Sequence, residues 1–320
     1  MDKLLKQLYE IHSPSGNEKK MKKFICWWVR TNCPTVKIQE DPKGNLYLQK
    51  GEAATFPTIV AHLDQVQKCH PHDFTAIQAN DLIFGYSPSK KQFCGLGADD
   101  KNGIWIALNC IKKYDFLKCV FFVEEEIGCR GSEEAVLDFF TDSRFIIQCD
   151  RRGGSDLITN IGGWTPLCSE AFMKAIDFEK FGYKEETGMI TDVGELKERG
   201  LKVTALNMSC GYYNPHTDEE FTITSELDNC LAFVEHIIET CADVYPHEFC
   251  ADDWLCSYYG YTHRDEEYDE FFDIIGNYLS YNPNVTVDEI MKEYDGCYLY
   301  LKKEDFEEIL ASLKNRDYYN

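Results

Sequence analysis

The sequence lacks several features that define whole classes of protein. No stretch approaches the 18 consecutive apolar residues of a membrane-spanning helix. The first residues contain no apolar core of a signal peptide, so no secretion signal is expected. Only 33 lysines and arginines stand against 55 acidic residues, which leaves a net charge of −22. This charge argues against nucleic-acid phosphate as a partner. We therefore predict neither a nucleic-acid nor a membrane partner.

Cysteine is abundant, but its distribution is not that of a disulfide scaffold. The 15 cysteines are odd in number, and several lie in apolar runs such as residues 118–123 and 145–150. Thiols in such runs are typical of reduced, buried side chains. Together with the missing secretion signal, they predict a cytoplasmic protein.

Charge and tyrosine are unevenly distributed along the chain. From Cys241 onward there are 19 acidic and 6 basic residues, together with 12 of the 19 tyrosines. This shift predicts a main domain over residues 1–242 and an acidic, tyrosine-rich, mostly helical region over residues 243–320. Helices are predicted there at 265–279, 285–294 and 302–316. Such a region fits a small bundle packed against the main domain, which we favour, or a module that binds a protein partner.

In the main domain, short apolar segments alternate with amphipathic ones. Strands are predicted at 58–61, 119–123, 145–148 and 203–206, and helices at 103–113, 132–140, 169–181 and 225–240. This alternation predicts a three-layer α/β fold, with a largely parallel central sheet and helices on both faces. Ser15 and Glu18 fit a capping box that opens a helix, and turns at 41–45 and 80–81 predict hairpins.

Acidic and imidazole side chains follow the predicted strands or precede a helix. They are His62, Asp64, Asp99, the run Glu124–Glu126, Asp150 and His216. In open α/β sheets, ligands bind beyond the carboxyl ends of the strands, so we expect these groups to share one crevice. Each alone has a plainer explanation, such as a turn or a charge at a helix N-terminus. Together they would repel one another without a cation, and they are ligands that Zn²⁺ accepts.

Five segments, in this order, resemble the co-catalytic dinuclear zinc exopeptidases. That group includes peptidase T, the zinc aminopeptidases and carboxypeptidases of the glutamate-carboxypeptidase type. The segments are HLD at 62–64, GADDKNG at 97–103, EEEIGCRGSE at 124–133, CDRRG at 149–153 and NPHTDEE at 214–220. SPSGNE at 13–18 also resembles the group's opening helix. The resemblance covers about residues 13–240, and its most specific segment surrounds the triple glutamate.

The resemblance implies two divalent ions, with zinc first and cobalt or manganese as alternatives. Asp99 would bridge the two ions. His62 and Asp150 would complete one site, and Glu126 and His216 the other.

The resemblance also assigns roles to residues beside the ions. Asp64 would orient the ring of His62, and Glu125 would be the general base. The register in the triple glutamate follows from aligning E-E-I-G-x-R-G, which leaves Glu124 as an extra acid. The resemblance further implies a cis peptide between Asp99 and Asp100.

The chain leaves no room for the lid or dimerisation domain that many relatives carry. Asp150 and His216 are 66 positions apart, and His62 and Asp99 are 37 apart. Neither interval holds an extra domain of about 100 residues. The expected form is therefore a single catalytic domain, similar to the single-domain zinc aminopeptidases.

Five further residues are candidates for substrate binding. Arg151 or Arg152 would bind a peptide carboxylate in a bidentate fork, although a surface pair fits as well. Asp192 and Tyr213, together with the adjacent Tyr212, are candidates for a specificity pocket.

The resemblance thus implies a zinc-dependent exopeptidase that acts on short peptides. Acidic surroundings suit the α-ammonium group of a substrate, which favours an aminopeptidase. An amidohydrolase or carboxypeptidase of the same fold remains an alternative. So does a non-enzymatic metal-binding scaffold that acts through the acidic C-terminal region.

Overall fold

The computed structural model describes residues 1–163, 165–248 and 285–293, together with residues 303, 306, 307, 309, 310 and 311. The chain divides into two units, Met1–Phe249 and Cys250–Asn320. In the second unit, a helix at Val287–Glu293 matches the one predicted at 285–294. The helix predicted at 265–279 lies outside the described residues, as does most of the one at 302–316. The partner suggested for this region stays a prediction.

Unit 1 contains fourteen strands among its described residues. They are β1 Lys37–Glu40, β2 Leu46–Lys50, β3 Phe56–His62, β4 Thr75–Ala79, β5 Leu82–Ser87, β6 Gln92–Cys94, β7 Leu117–Phe122, β8 Ser143–Arg151, β9 Asp156–Ile161, β10 Thr165–Pro166, β11 Lys184–Gly188, β12 Ala205–Ser209, β13 Tyr212–Tyr213 and β14 Phe221–Ile223.

The α-helices connect these strands. In unit 1 they are α1 Lys3–Tyr9, α2 Lys19–Asn32, α3 Ala98–Lys113, α4 Arg130–Glu133, α5 Glu170–Ala175, α6 Asp192–Glu198 and α7 Thr224–Thr240, and α8 Val287–Glu293 lies in unit 2. Short 3₁₀ helices cover Glu125–Ile127, Leu137–Phe140 and Phe178–Phe181. Among the described residues, no helix has the length and apolarity needed to cross a membrane.

The central sheet is mixed, with a parallel core. Its order is β1-β2-β7-β3-β8-β12-β9-β10, with β11 also paired to β9. β3 runs parallel to β7 and β8, and β8 runs parallel to β12. Side chains alternate between two apolar clusters: Ile59 belongs to the cluster that includes Ile104 of α3, and Val60 to the cluster that includes Leu196 of α6. Because both faces are covered by helices, β3 and β7 are buried throughout. The predicted α/β fold is confirmed.

A second sheet was not predicted beyond its first hairpin. Its order is β13-β14-β5-β4, with β6 paired to β5. The hairpin turns at Asn80 and Asp81, as expected, and Asn80 has a left-handed φ of 55°. β14 pairs with β5, so the sheet joins the segment between His62 and Asp99 to the loop that carries His216.

Three local predictions are corrected, and one of them is the helix at 169–181, which is divided at Asp177. Ser15 does not cap a helix, because its hydroxyl donates to Asp64 instead, at 2.8 Å. α2 begins at Lys19, after Glu18, which makes no side-chain capping bond. The helix predicted at 132–140 is broken, since α4 ends at Glu133 and a 3₁₀ turn follows.

Candidate metal centre

The end of β3 and the start of α3 bring the first group of ligand atoms together. His62 is the last residue of β3, and its Nε2 lies 3.0 Å from Oδ1 of Asp99. The same nitrogen lies 3.6 Å from Oδ1 of Asp150, near the end of β8. These three residues place one ligand atom each within 4.8 Å of the others.

The second group shares Asp99 with the first. Nε2 of His216 lies 2.9 Å from Oε2 of Glu126 and 3.3 Å from Oδ2 of Asp99. One carboxylate oxygen of Asp99 therefore faces His62, and the other faces His216. This is the arrangement of a bridging ligand. The Asp99–Asp100 peptide is cis, as the resemblance implied.

The chemistry of these side chains fits two divalent cations. Two imidazoles and three carboxylates are ligands that zinc and similar ions accept. Oε1 of Glu126 is buried and has no hydrogen-bond partner within the described part of the chain. A buried carboxylate oxygen without a partner is costly, and a bound cation would satisfy it.

The electrostatics also favour positive charge at this point. Burial lowers the pKa of the His62 ring, but Asp150, Asp64 and Asp99 together raise it well above its usual value. Hydrogen bonds with Asp99 and Glu126 raise the pKa of His216 to about 10. Both rings are therefore surrounded by negative charge that stabilises a cation.

Asp64 makes hydrogen bonds with residues of both ligand groups. Nδ1 of His62 lies 3.0 Å from the backbone oxygen of Asp64. A carbonyl oxygen only accepts, so Nδ1 carries a proton, and in the neutral ring Nε2 has the lone pair that a metal needs. The Asp64 carboxylate accepts hydrogen bonds from the backbone N–H groups of Glu125, at 3.0 Å, and Glu126, at 3.2 Å. It thereby holds the loop that carries both glutamates.

The three consecutive glutamates have different environments. Glu126 lies in the second ligand group, as described above. Glu125 has its Oε2 3.9 Å from Nε2 of His62, and Cys129 donates to its Oε1 at 3.5 Å. Burial raises the pKa of Glu125 well above its usual value, although the charge of His62 opposes this rise. Glu124 points elsewhere and pairs with Lys43 at 3.1 Å.

Four of the candidate substrate residues lie in different surroundings. Nε of Arg151 is 3.2 Å from Asp156, and Arg152 is exposed. The Tyr213 hydroxyl donates to Glu226 at 2.8 Å. Asp192 is fully buried and accepts from Ser132 Oγ at 2.6 Å. Their roles in substrate binding stay predictions.

Two residues beside the ligands make contacts that the sequence did not predict. The buried Tyr212, not Tyr213, donates its hydroxyl to Oδ1 of Asp150 at 3.3 Å. The buried Glu220 accepts hydrogen bonds from the backbone N–H groups of Gly97 and Asp99, at 2.5 and 3.1 Å. Glu220 is the last residue of the NPHTDEE segment, so its place in that motif could have identified it as a site residue. Which of two adjacent tyrosines faces inward depends on the strand register, which the sequence did not give.

Several solved peptidases share this α/β fold. Aminopeptidase PepT from Bacillus cereus is 13% identical and aligns with a TM-score of 0.59, over 75% of this chain and 97% of its own. A tripeptidase from Staphylococcus aureus is 14% identical, with a TM-score of 0.58 over 74% and 96%. An aminopeptidase from the archaeon Desulfurococcus kamchatkensis is 14% identical, with a TM-score of 0.59 over 81% and 97%.

These structures match the group that the sequence motifs resemble, and at such identities the likeness shows the fold alone. No protein-family model and no curated protein matches the sequence.

Proposed function

We propose that this chain is a metal-dependent exopeptidase that hydrolyses short peptides as an aminopeptidase. The observation that carries the proposal is Asp99, whose two carboxylate oxygens face two different histidines. His62, Asp99 and Asp150 would hold one divalent ion, and Asp99, Glu126 and His216 the other. Two such ions, of which zinc fits the ligands best, would polarise the scissile carbonyl and lower the pKa of a water molecule.

Glu125 supplies the proton transfer in this proposal. Its carboxylate lies beside His62 but outside both ligand groups of the described residues. Because burial raises its pKa, the side chain can accept a proton from the attacking water and pass it to the leaving amine. Such general acid–base catalysis contributes about 10²–10⁴-fold to a rate. A metal-binding scaffold would have no use for this residue.

The preference for a free N-terminus rests on charge. The centre is rich in carboxylates, which attract the α-ammonium group of a peptide. The names of the solved structures with this fold, two aminopeptidases and a tripeptidase, point the same way.

The test combines metal content with substrate choice. Purified protein should contain two divalent ions and cleave a tripeptide with a free N-terminus, but not its N-acetylated form. Asp99→Ala should lose both ions and all turnover. Equal cleavage of the two peptides would contradict the aminopeptidase assignment, and a protein without bound ions would contradict the whole proposal.

A further inference from the structure

A buried hydrogen-bond network adjoins Asp150, and its other residues have no role in the proposed reaction. Its centre is Gln148, which is fully buried. Gln148 and Asp150 are two residues apart on β8, so their side chains lie on the same face of the sheet. Nε2 of Gln148 donates to Oδ2 of Asp150 at 3.1 Å and to Oδ2 of Asp192 at 3.2 Å. One amide group thus joins two carboxylates.

The orientation of this amide is fixed by its other partners. Oε1 of Gln148 accepts from the backbone N–H of Val193 at 3.1 Å and from the Thr191 hydroxyl at 2.8 Å. A backbone N–H can only donate, so the amide oxygen must face it. The NH₂ group therefore faces the two carboxylates.

This arrangement divides the two oxygens of Asp150 between different tasks. Oδ2 accepts from Gln148, whereas Oδ1 accepts from the Tyr212 hydroxyl at 3.3 Å and lies 3.6 Å from Nε2 of His62. Oδ1 is therefore the oxygen beside the metal-binding nitrogen. Since side chains that hydrogen-bond to a ligand fix its orientation, Gln148 sets which oxygen Asp150 offers to an ion.

Asp192 adds a negative charge to the same network. It is fully buried, and its oxygens accept from Ser132 Oγ at 2.6 Å and from Gln148. Both donors are neutral. Neither of them offsets the charge of the carboxylate, and the Gln148 amide joins Asp192 directly to Asp150 of the first ligand group.

We infer that Gln148 and Asp192 are positioning residues for the ion held by His62, Asp99 and Asp150. Gln148 orients the Asp150 carboxylate, and Asp192 strengthens the attraction for a cation. The inference rests on the proposed metal centre and gives Asp192 a task other than lining a specificity pocket.

The test measures zinc affinity at both sites by competition with a chelator. Gln148→Met keeps the length of the side chain but removes the amide, and it should weaken one of the two ions by about 10–100-fold. Asp192→Asn can still accept from Gln148 and donate to Ser132, so only the charge is lost. It should weaken the same ion by less than Gln148→Met does.

Ser143→Ala is the matched control. Ser143 is the first residue of β8 and shares a buried hydrogen bond with Thr58 at 2.7 Å. Its loss should lower the melting temperature without changing either zinc affinity, because it lies at the opposite end of the strand from Asp150.

The outcomes separate the inference from the proposed function. Wild-type protein that binds neither zinc nor another divalent ion would refute the proposed function. Wild-type protein that binds two ions, with unchanged affinities in Gln148→Met, would refute the inference. Equal weakening of both ions in Gln148→Met and Ser143→Ala would also refute it, since the effect would then be general destabilisation. Should Gln148→Met fail to fold, Asp192→Asn decides, and wild-type affinity in that variant overturns the inference.

Discussion

Three adjacent glutamates differ in their partners, and at the scale of single residues this difference can be tested directly. Glu125→Gln keeps the shape of the side chain but cannot accept the proton of the attacking water. We expect kcat to fall by about 10²–10⁴-fold while two ions stay bound. Glu126→Gln should instead weaken one ion, since a neutral amide is a poorer ligand than a carboxylate. Turnover and metal content, measured on the same preparations, distinguish the proposed base from the proposed ligand.

Glu124→Gln is the control for this pair. Its carboxylate pairs with Lys43, away from both ligand groups, so the substitution should change neither metal content nor kcat. Metal loss in Glu125→Gln, with Glu126→Gln unaffected, would mean that the two roles are shifted by one residue.

The site residues that the sequence predicted have side chains typical of metal ligands. The roles that it missed depend on contacts that form only in the folded chain. His62 and Asp99 stood out because imidazole and carboxylate follow or precede predicted elements. Ser15 was misassigned because a capping box and a donor to Asp64 need the same residue type. Only the folded chain shows that its hydroxyl reaches Asp64, 49 positions away.

At the scale of elements, the periodicity of apolar residues predicted the buried parallel strands and the long helices better than it predicted the short helices. β3 and β7 are apolar throughout, and α7 has a regular amphipathic pattern, so tertiary contacts reinforce the local signal. The predicted helix at 169–181 instead divides into α5 and a 3₁₀ turn, because Asp177 between them has a left-handed φ of 48°. The second sheet depends on β14 pairing with β5, a contact between distant segments.

The segment between β3 and β4 is held by stacked rings, and this predicts a pH dependence. The His70 ring stacks on His12 at 4.7 Å and on Phe74 at 4.0 Å. Burial, together with the charges of Lys101 and His12, lowers the pKa of His70 to about 3. In the unfolded chain this pKa is about 6.5. Between these values the unfolded state binds more protons, so stability is lost as the pH falls below about 6.5.

His70→Phe keeps a stacked ring and removes this titration. At pH 7 it should be less stable than the wild type, since His70 also contacts the Gly95 carbonyl at 3.0 Å. Below about pH 6.5 the difference in unfolding free energy should shrink, by at most about 1.4 kcal/mol per pH unit. Urea unfolding between pH 7 and 4.5 measures it. A difference that stays constant over this pH range would contradict the prediction.

At the scale of the whole molecule, every predicted ligand lies in unit 1, upstream of the acidic region. Backbone hydrogen bonds of unit 1 continue beyond residue 242. The N–H of Thr204 donates to the carbonyl of Tyr245 at 2.8 Å, and the N–H of His247 donates to that of Lys202 at 3.1 Å. The Tyr245 ring also packs against Phe172, with centroids 5.1 Å apart. Residues 245–247 thus contribute to the stability of unit 1.

A chain cut after Glu248 should therefore fold, bind two ions and hydrolyse small amino-acid amides. A chain cut after Ala242 loses these backbone bonds, each worth about 0.5–1.5 kcal/mol, and the contact with Phe172. It should melt at a lower temperature and bind ions less completely. Calorimetry, metal content and amide hydrolysis of the two truncated chains test this difference. If the longer chain holds both ions but has no activity, then activity requires residues beyond 248, and the prediction is wrong.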